Sequence, residues 1–272
     1  MVKIARQPVM KKVDFIIGGV QKAGTSALFE YLLRHPELSG AAGKETHFFD
    51  DETAVDWQAP NYKRYHAFYS ARDRAKLWFE ATPIYIFWPD SLVRIKAYRP
   101  GMKFIFLFRD PIERAWSHWC MEYGRRAETL DFKSAIRAGR SRLHSWAPTA
   151  PAWRVFSYVE RGFYAGQIAR CLALFPRGQI LYLASEDLLN HPELTLRRVT
   201  DFLGVSPFRA VERIASNVRS KQSYPSVCGA DDLTYLRNVF SSELERFEAL
   251  TGLDISNWPS RTGIPSSALT AG

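Results

Sequence analysis

The sequence predicts an α/β fold of three layers around a mainly parallel central sheet. Three observations carry that prediction. Short apolar runs alternate with stretches of helical periodicity along most of the 272 residues, as strands joined by crossover helices do. One run, "MKFIFLF" from Met102 to Phe108, is apolar without a break, which suits a strand covered on both faces. The stretch "FIIGGVQKAGTSALFEYL", Phe15 to Leu32, passes from an apolar run through a glycine-rich turn into an amphipathic helix.

Taken in order, Val13 to Ile17 reads as the first buried strand, and Thr25 to Arg34 as a helix ended near Pro36. Leu77 to Glu80 is a short second strand, and Asp90 to Tyr98 is a helix stopped by Pro100 and Gly101. After the strand Met102 to Phe108, "DPIERAWSHWCMEYG" opens a helix with Asp110 as its cap and Pro111 in its first turn. Arg154 to Phe175 carries apolar residues at helical spacing and ends at Pro176. "QILYLAS" is a further buried strand, followed by helices over Leu194 to Leu203 and Leu233 to Leu250. Residues 1–258 are expected to form one domain, and residues 259–272, "PSRTGIPSSALTAG", a loose tail.

Two stretches resist assignment. Asp51 to Arg74 mixes Trp57, Tyr62, Tyr65, Phe68 and Tyr69 with Lys63, Arg64 and His66. Phe132 to Val159 holds Lys133, Arg137, Arg140, Arg142 and Arg154 and no carboxylate. The basic residues form either a solvated face or the rim of an acceptor site, where arginine meets anions and aromatics meet ring faces.

Composition narrows the classes. Apolar residues at 46% and charged residues at 24% are ordinary for a globular chain, while a net charge of +9 points to an anionic ligand. Zinc-ligand spacing, an RNA-recognition signature and long basic runs are all missing, so nucleic acid is not expected. Cys120, Cys171 and Cys228 form no paired motif and read as reduced thiols. No apolar run reaches the roughly eighteen residues of a membrane helix, and "VDFII" is too short for a signal-peptide core, so a soluble, cytoplasmic protein without membrane insertion is expected. The oligomeric state is left open.

The glycine turn carries the first chemistry. In the nucleoside-triphosphate loop GxxxxGK[ST], lysine follows the second glycine. Here Gly19 and Gly24 keep that spacing, but Thr25 follows Gly24 and the lysine lies earlier, at Lys22. Backbone N–H groups of such a turn and the helix N-terminus bind tetrahedral anions, so a P-loop-like fold is expected. A lysine at the loop tip can reach a bridging oxygen between two anhydride-linked groups, where leaving-group charge develops.

"GGVQKAGTSAL" resembles the 5′-phosphosulfate-binding loop of the sulfotransferases that use 3′-phosphoadenosine 5′-phosphosulfate (PAPS). The resemblance implies that Gly19, Lys22, Ala23, Gly24, Thr25 and Ser26 hold the 5′-phosphosulfate. "FIFLFRDPIERAWSHW" is similar to the family's second landmark, with Arg109 and Ser117 as the pair that holds the 3′-phosphate. "KETHFFDD", Lys44 to Asp51, resembles the "E-x-H-F-F-D" segment of the heparan-type carbohydrate sulfotransferases and their bacterial relatives. That match implies Glu45 as general base, His47 as an orienting residue and Asp50 as a supporting partner. The cytosolic branch acting on phenols and steroids instead uses a histidine elsewhere in the chain. "VERGFYAGQIARCLALFPRGQILYLASEDL" follows the family's helix-stop-strand pattern, and "NVRSKQSYP" resembles a nucleotide-closing loop with Arg219 and Lys221 as phosphate contacts.

From the resemblance the expected donor is PAPS, with PAP as product and no metal. The expected partner is a carbohydrate or small-molecule acceptor, sulfated by in-line transfer to a hydroxyl or amine. A hydroxylated lipid, polyketide or peptide natural product is the alternative acceptor. A P-loop kinase with a displaced lysine, which would need magnesium, and a nucleotide-binding module without turnover are the readings from other classes.

Overall fold

The computed structural model describes residues 10–214, 224, 227–266 and 269. Five strands, β1 (Phe15–Gly19), β2 (Leu38–Gly40), β3 (Leu77–Ala81), β4 (Lys103–Phe108) and β5 (Ile180–Ala184), form one sheet in the order β2-β3-β1-β4-β5. Every neighbouring pair is parallel. The helices are α1 (Thr25–Leu33), α2 (Lys63–His66), α3 (Ser91–Tyr98), α4 (Pro111–Gly124), α5 (Phe132–His144) and α6 (Ala152–Val155). They continue with α7 (Tyr164–Leu174), α8 (Ser185–Asn190), α9 (Pro192–Leu203), α10 (Ala230–Thr251) and α11 (Pro259–Thr262). The expected α/β architecture with a parallel sheet is what forms.

β4 is the spine of the core. All residues from Phe104 to Phe108 are fully buried, as its unbroken apolar run requires of a strand with helices on both faces. β1 lies beside it, and the chain leaves β1 toward β2 on one side but later crosses to β4 on the other. That reversal of direction opens a crevice at the carboxyl ends of β1 and β4, where ligands sit in open parallel sheets. Among the described residues no helix is long and apolar enough to cross a membrane.

Several sequence expectations change. Arg154 to Phe175 is not one helix: α6 ends at Val155 and α7 begins at Tyr164. At the break, buried arginines hold two carbonyls of α6 and one of the segment that follows it. Arg161 donates to Trp153 O (3.2 Å) and Arg154 O (3.0 Å), and Arg114 donates to Tyr158 O. Much of the supposedly irregular Phe132 to Val159 is α5, capped by Asp131, whose carboxylate accepts from Ser134 N at 2.7 Å. Its arginines face carboxylates from elsewhere in the chain: Arg137 pairs with Asp232, Arg140 with Glu160 and Arg142 with Glu128.

The aromatic stretch 51–74 is largely core. Tyr65 is fully buried and donates to Glu80 Oε1 at 2.6 Å, and Tyr69 stacks on Trp78 with ring centroids 4.8 Å apart. The tail after Trp258, expected to be loose, is docked over its described residues. α11 places the Ser260 N–H 2.8 Å from Asp110 Oδ2, the Ser266 hydroxyl donates to Glu113, and Leu269 is fully buried.

Candidate active site

The anion loop begins where β1 runs out of room for side chains. A Cβ at Gly19 would lie 2.6 Å from Ile86 Cγ2, so only glycine lets the strand end pass this close to the following segment. The turn is fixed by Val20 N to Leu107 O (2.8 Å) and Ala23 N to Val20 O (3.2 Å). Gly24 then takes a left-handed conformation, φ 85°, at the N-cap of α1. It has no side chain to cap the helix, and the first turn carries no carboxylate. The helix N-terminus is therefore built to receive an external anion. Thr25 is buried at that end, and Ser26 is half-buried beside it.

Lys22 sits at the loop tip with φ 73°. Among the described residues the non-glycine positions with positive φ are Lys22, His47 and Arg126. Two of these three are candidate catalytic residues, and such backbone strain persists only where the surroundings impose it. The Lys22 ammonium lies 3.8 Å from Met121 Sδ on α4.

Arg109 follows β4 directly. Its backbone carbonyl accepts from Tyr164 OH at 2.9 Å, and its guanidinium donates to Glu113 Oε2 at 2.7 Å and toward Lys22 O at 3.5 Å. The expected cap is present: Asp110 Oδ1 accepts from Ile112 N (2.8 Å) and Glu113 N (3.0 Å). Ser117, two turns along α4, faces the same cleft.

The Glu45 segment is fastened to the sheet from below. Glu80, fully buried at the end of β3, accepts from Thr46 Oγ1 (2.7 Å), Thr82 Oγ1 (2.6 Å) and Tyr65 OH (2.6 Å). Burial raises the proton affinity of Glu80, and these donors oppose it. Thr46 N donates to Thr82 Oγ1 at 3.1 Å, and Phe48 N donates to Tyr85 OH at 3.1 Å.

On that footing stands a chain of alternating charge. Lys44 Nζ donates to Glu45 Oε1 at 2.6 Å, and His47 Nε2 lies 3.2 Å from Glu45 Oε2. His47 Nδ1 lies 2.9 Å from Asp50 Oδ2, and Arg154 donates to both the Asp50 carboxylate and, at 2.6 Å, the Asp50 carbonyl. Burial would raise Glu45, but the His47 hydrogen bond and the charge and hydrogen bond of Lys44 outweigh it and hold the carboxyl at about 2. Hydrogen bonds to Asp50 and Glu45 push His47 up to about 9. At neutral pH the ring is therefore an imidazolium that donates from both nitrogens.

One cleft of about 1420 Å³ joins these parts. Lys22, Gly24, Thr25, Ser26, Glu45, His47, Arg109 and Ser117, all expected from sequence, line it. Gly19 and Ala23 support the loop from behind, and Asp50 is fully buried beneath His47. Arg219 and Lys221 lie outside the described residues.

Sequence reasoning missed other lining residues. Arg161, 3% exposed, donates to Gln21 of the anion loop and at 2.8 Å to Ser157 Oγ, tying the loop to the α6 rim. Burial and the neighbouring Arg114 and Arg154 charges bring it down to about 9. Glu186, at the start of α8, is pushed up by burial to about 7. Nothing in their sequence spacing singles out either residue. Of the basic stretch 132–159, Thr149, Pro151, Arg154 and Val155 reach the cleft, so the rim expectation holds for that part alone. Among the described residues no cluster of three or more metal-ligating side chains forms.

Residues 44–209 match the family model described as "Sulfotransferase family". The chain is 34% identical over 196 residues to heparan sulfate glucosamine 3-O-sulfotransferase 3B1 of Mus musculus, covering 70% of this chain and 45% of that protein. It is 32% identical over 193 residues to heparan sulfate glucosamine 3-O-sulfotransferase 6 of Homo sapiens, covering 70% and 52%. The chain thus spans about half the length of the curated relatives it matches. Among solved structures it is similar to a sulfotransferase from Alicyclobacillus acidocaldarius, with TM-score 0.73 and 26% identity over 92% of this chain and 99% of that one.

Proposed function

The chain belongs to the sulfotransferase family, and we propose that it moves the sulfuryl group of PAPS to a hydroxyl or amine of a carbohydrate-containing acceptor, with Glu45 as general base. The observation that carries this is the single cleft in which an anion loop with Lys22 at its tip shares one wall-to-wall space with the Glu45 carboxylate.

The residues fit the donor. An uncapped helix N-terminus behind a left-handed glycine suits a sulfate or phosphate group. Arg109 brings a fork-shaped guanidinium to the same cleft, and Ser117 a hydroxyl, matched to the oxygens of a second phosphate. PAPS, when bound, supplies a sulfuryl group on a phosphosulfate anhydride. Thr25, Ser26 and the loop amides hold its anionic end, and Arg109 and Ser117 hold the 3′-phosphate. Lys22 offsets the negative charge that grows on the leaving oxygen.

The hydrogen bonds support Glu45 over His47 as the base. His47 donates to Asp50 and Glu45 and, held near 9, has no lone pair free at neutral pH. Glu45 is the carboxylate facing the cleft beside it, and it takes the proton of the acceptor hydroxyl as that oxygen becomes the nucleophile. The heparan sulfate relatives support a sugar acceptor.

The deciding experiment incubates the protein with sulfur-labelled PAPS and a panel of glycosides, amino sugars and hydroxylated lipids, with and without a magnesium chelator. Label should pass to sugars in both conditions. Transfer only to lipids would remove the carbohydrate acceptor. A γ-phosphoryl transfer from ATP that stops in chelator would establish a kinase instead.

A further inference from the structure

Glu45 is masked as it stands. Its Oε1 accepts from Lys44 Nζ at 2.6 Å and its Oε2 faces His47 Nε2 at 3.2 Å, so each oxygen already meets a cation. A carboxylate held that way is a weak acceptor for a hydroxyl proton. The acceptor oxygen must take the place of one of the two cations.

Those cations are not equally movable. His47 is anchored from behind by the fully buried Asp50, which Arg154 holds in turn. Lys44 is anchored only through its backbone, where its carbonyl accepts from Ala81 N at 3.3 Å. Its ammonium stands at the cleft wall on a flexible four-carbon stem. Arg154 and Arg161, which also line the cleft, are tied to Asp50 and to Gln21, Ser157 and the α6 carbonyls. When Lys44 turns away, Glu45 loses both a charge and a hydrogen bond that favour its ionised form. Burial, the strongest influence on this carboxyl, then raises its proton affinity.

We infer that Lys44 is a latch on the base and a specificity-determining residue: an anionic group on the acceptor, close to the hydroxyl to be sulfated, draws the ammonium off Glu45 Oε1 and frees that oxygen for the hydroxyl. Lys44 exchanges one anionic partner for another, so the opening needs no unpaired charge. A neutral acceptor has nothing to offer the ammonium and meets a masked base. The inference rests on the assignment of Glu45 as base.

The test pairs p-nitrophenyl β-glucuronide with p-nitrophenyl β-glucoside as acceptors for the parent, Lys44→Ala and Lys44→Arg, with PAPS as donor. The parent should favour the glucuronide by roughly ten-fold or more in kcat/KM. Lys44→Ala should lose most of that preference, chiefly because kcat on the glucoside rises, and Lys44→Arg should restore it. An unchanged preference with unchanged kcat on the glucoside overturns the latch. A second arm needs no acceptor: an NMR titration of the His47 ring, which faces Glu45, Asp50 and, through Asp50, Arg154. Its midpoint should move up from about 9 in Lys44→Ala, because a competing cation has left Glu45. An unmoved midpoint overturns the latch even if neither glycoside is turned over. Failure of the parent on both glycosides, with the midpoint shifted as expected, counts against the sugar acceptor and leaves the latch supported.

Discussion

Replacing Glu45 by glutamine keeps the shape of the side chain and removes one charge, the second member, from a five-member chain. If Glu45 is the base, turnover should fall by roughly 100-fold or more, which is about 2.7 kcal/mol of barrier. PAP affinity should hardly change, since the arginine, serine and loop groups assigned to the nucleotide stay in place. The same substitution has a second reading through His47. Raising that imidazole from its ordinary 6.5 to about 9 corresponds to about 3 kcal/mol at full strength. With the side chain 45% exposed, solvent screening leaves about 1–2 kcal/mol. A raised histidine stabilises fully below pH 6.5 and loses that contribution as pH climbs through about 9. In Glu45→Gln only Asp50 remains as an anionic partner, so the midpoint should drop and the loss of stability should begin at lower pH. Single-turnover kinetics with labelled PAPS measures the first effect, and thermal unfolding from pH 6 to 10 measures the second. The reasoning fails if Glu45→Gln keeps near-parental turnover while His47→Asn is inactive. It also fails if the parent's rate rises from pH 6 to 8 as though a histidine were losing its proton.

Two other outcomes probe the nucleotide side. Arg109→Ala should weaken PAP binding by one or more orders of magnitude, from the ~2–5 kcal/mol typical of a truncated charged partner, while adenosine 5′-phosphosulfate should bind almost as before. Calorimetry with both ligands decides this, and equal losses would make Arg109 a structural partner of Glu113. Lys22→Ala should lower turnover far more than PAPS affinity, because the charge it meets grows only in the transition state. Comparing single-turnover rate with PAPS affinity tests this, and a parental rate in the folded variant would remove Lys22 from the chemistry.

The parallel core was legible because its signals are local. The unbroken run in β4, the glycine turn after β1 and the Asp110-Pro111 start of α4 each act through neighbouring residues. β2 is three residues long, too short to show a period. α5 could have been read: Phe132, Ala135, Ile136, Gly139 and Leu143 fall on one buried face, behind a cap that lies just outside the basic stretch. The break before α7 was not legible, because it depends on guanidinium groups reaching carbonyls, one of them more than forty residues away in sequence. The candidate site shows the same division. Lys22, Glu45, His47, Arg109 and Ser117 sit in short motifs, and each reaches the cleft. Lys44 was visible in sequence only as a neighbour of Glu45, and its grip on that carboxylate is a matter of side-chain direction. Arg154 and Arg161 enter through contacts across long separations that spacing cannot encode.

The docked segment after Trp258 gives α4 a second foundation. Asp110 spends one carboxylate oxygen on the first turn of α4 and the other on the Ser260 N–H, while Glu113, partner of Arg109, also receives the Ser266 hydroxyl. Residues more than 140 positions beyond Arg109 in sequence therefore act as a buttress for the arginine proposed to hold the 3′-phosphate. This segment behaves as part of the floor beneath Arg109, and an insertion or fusion placed between Trp258 and Ser266 would be transmitted there before it was felt anywhere in the sheet.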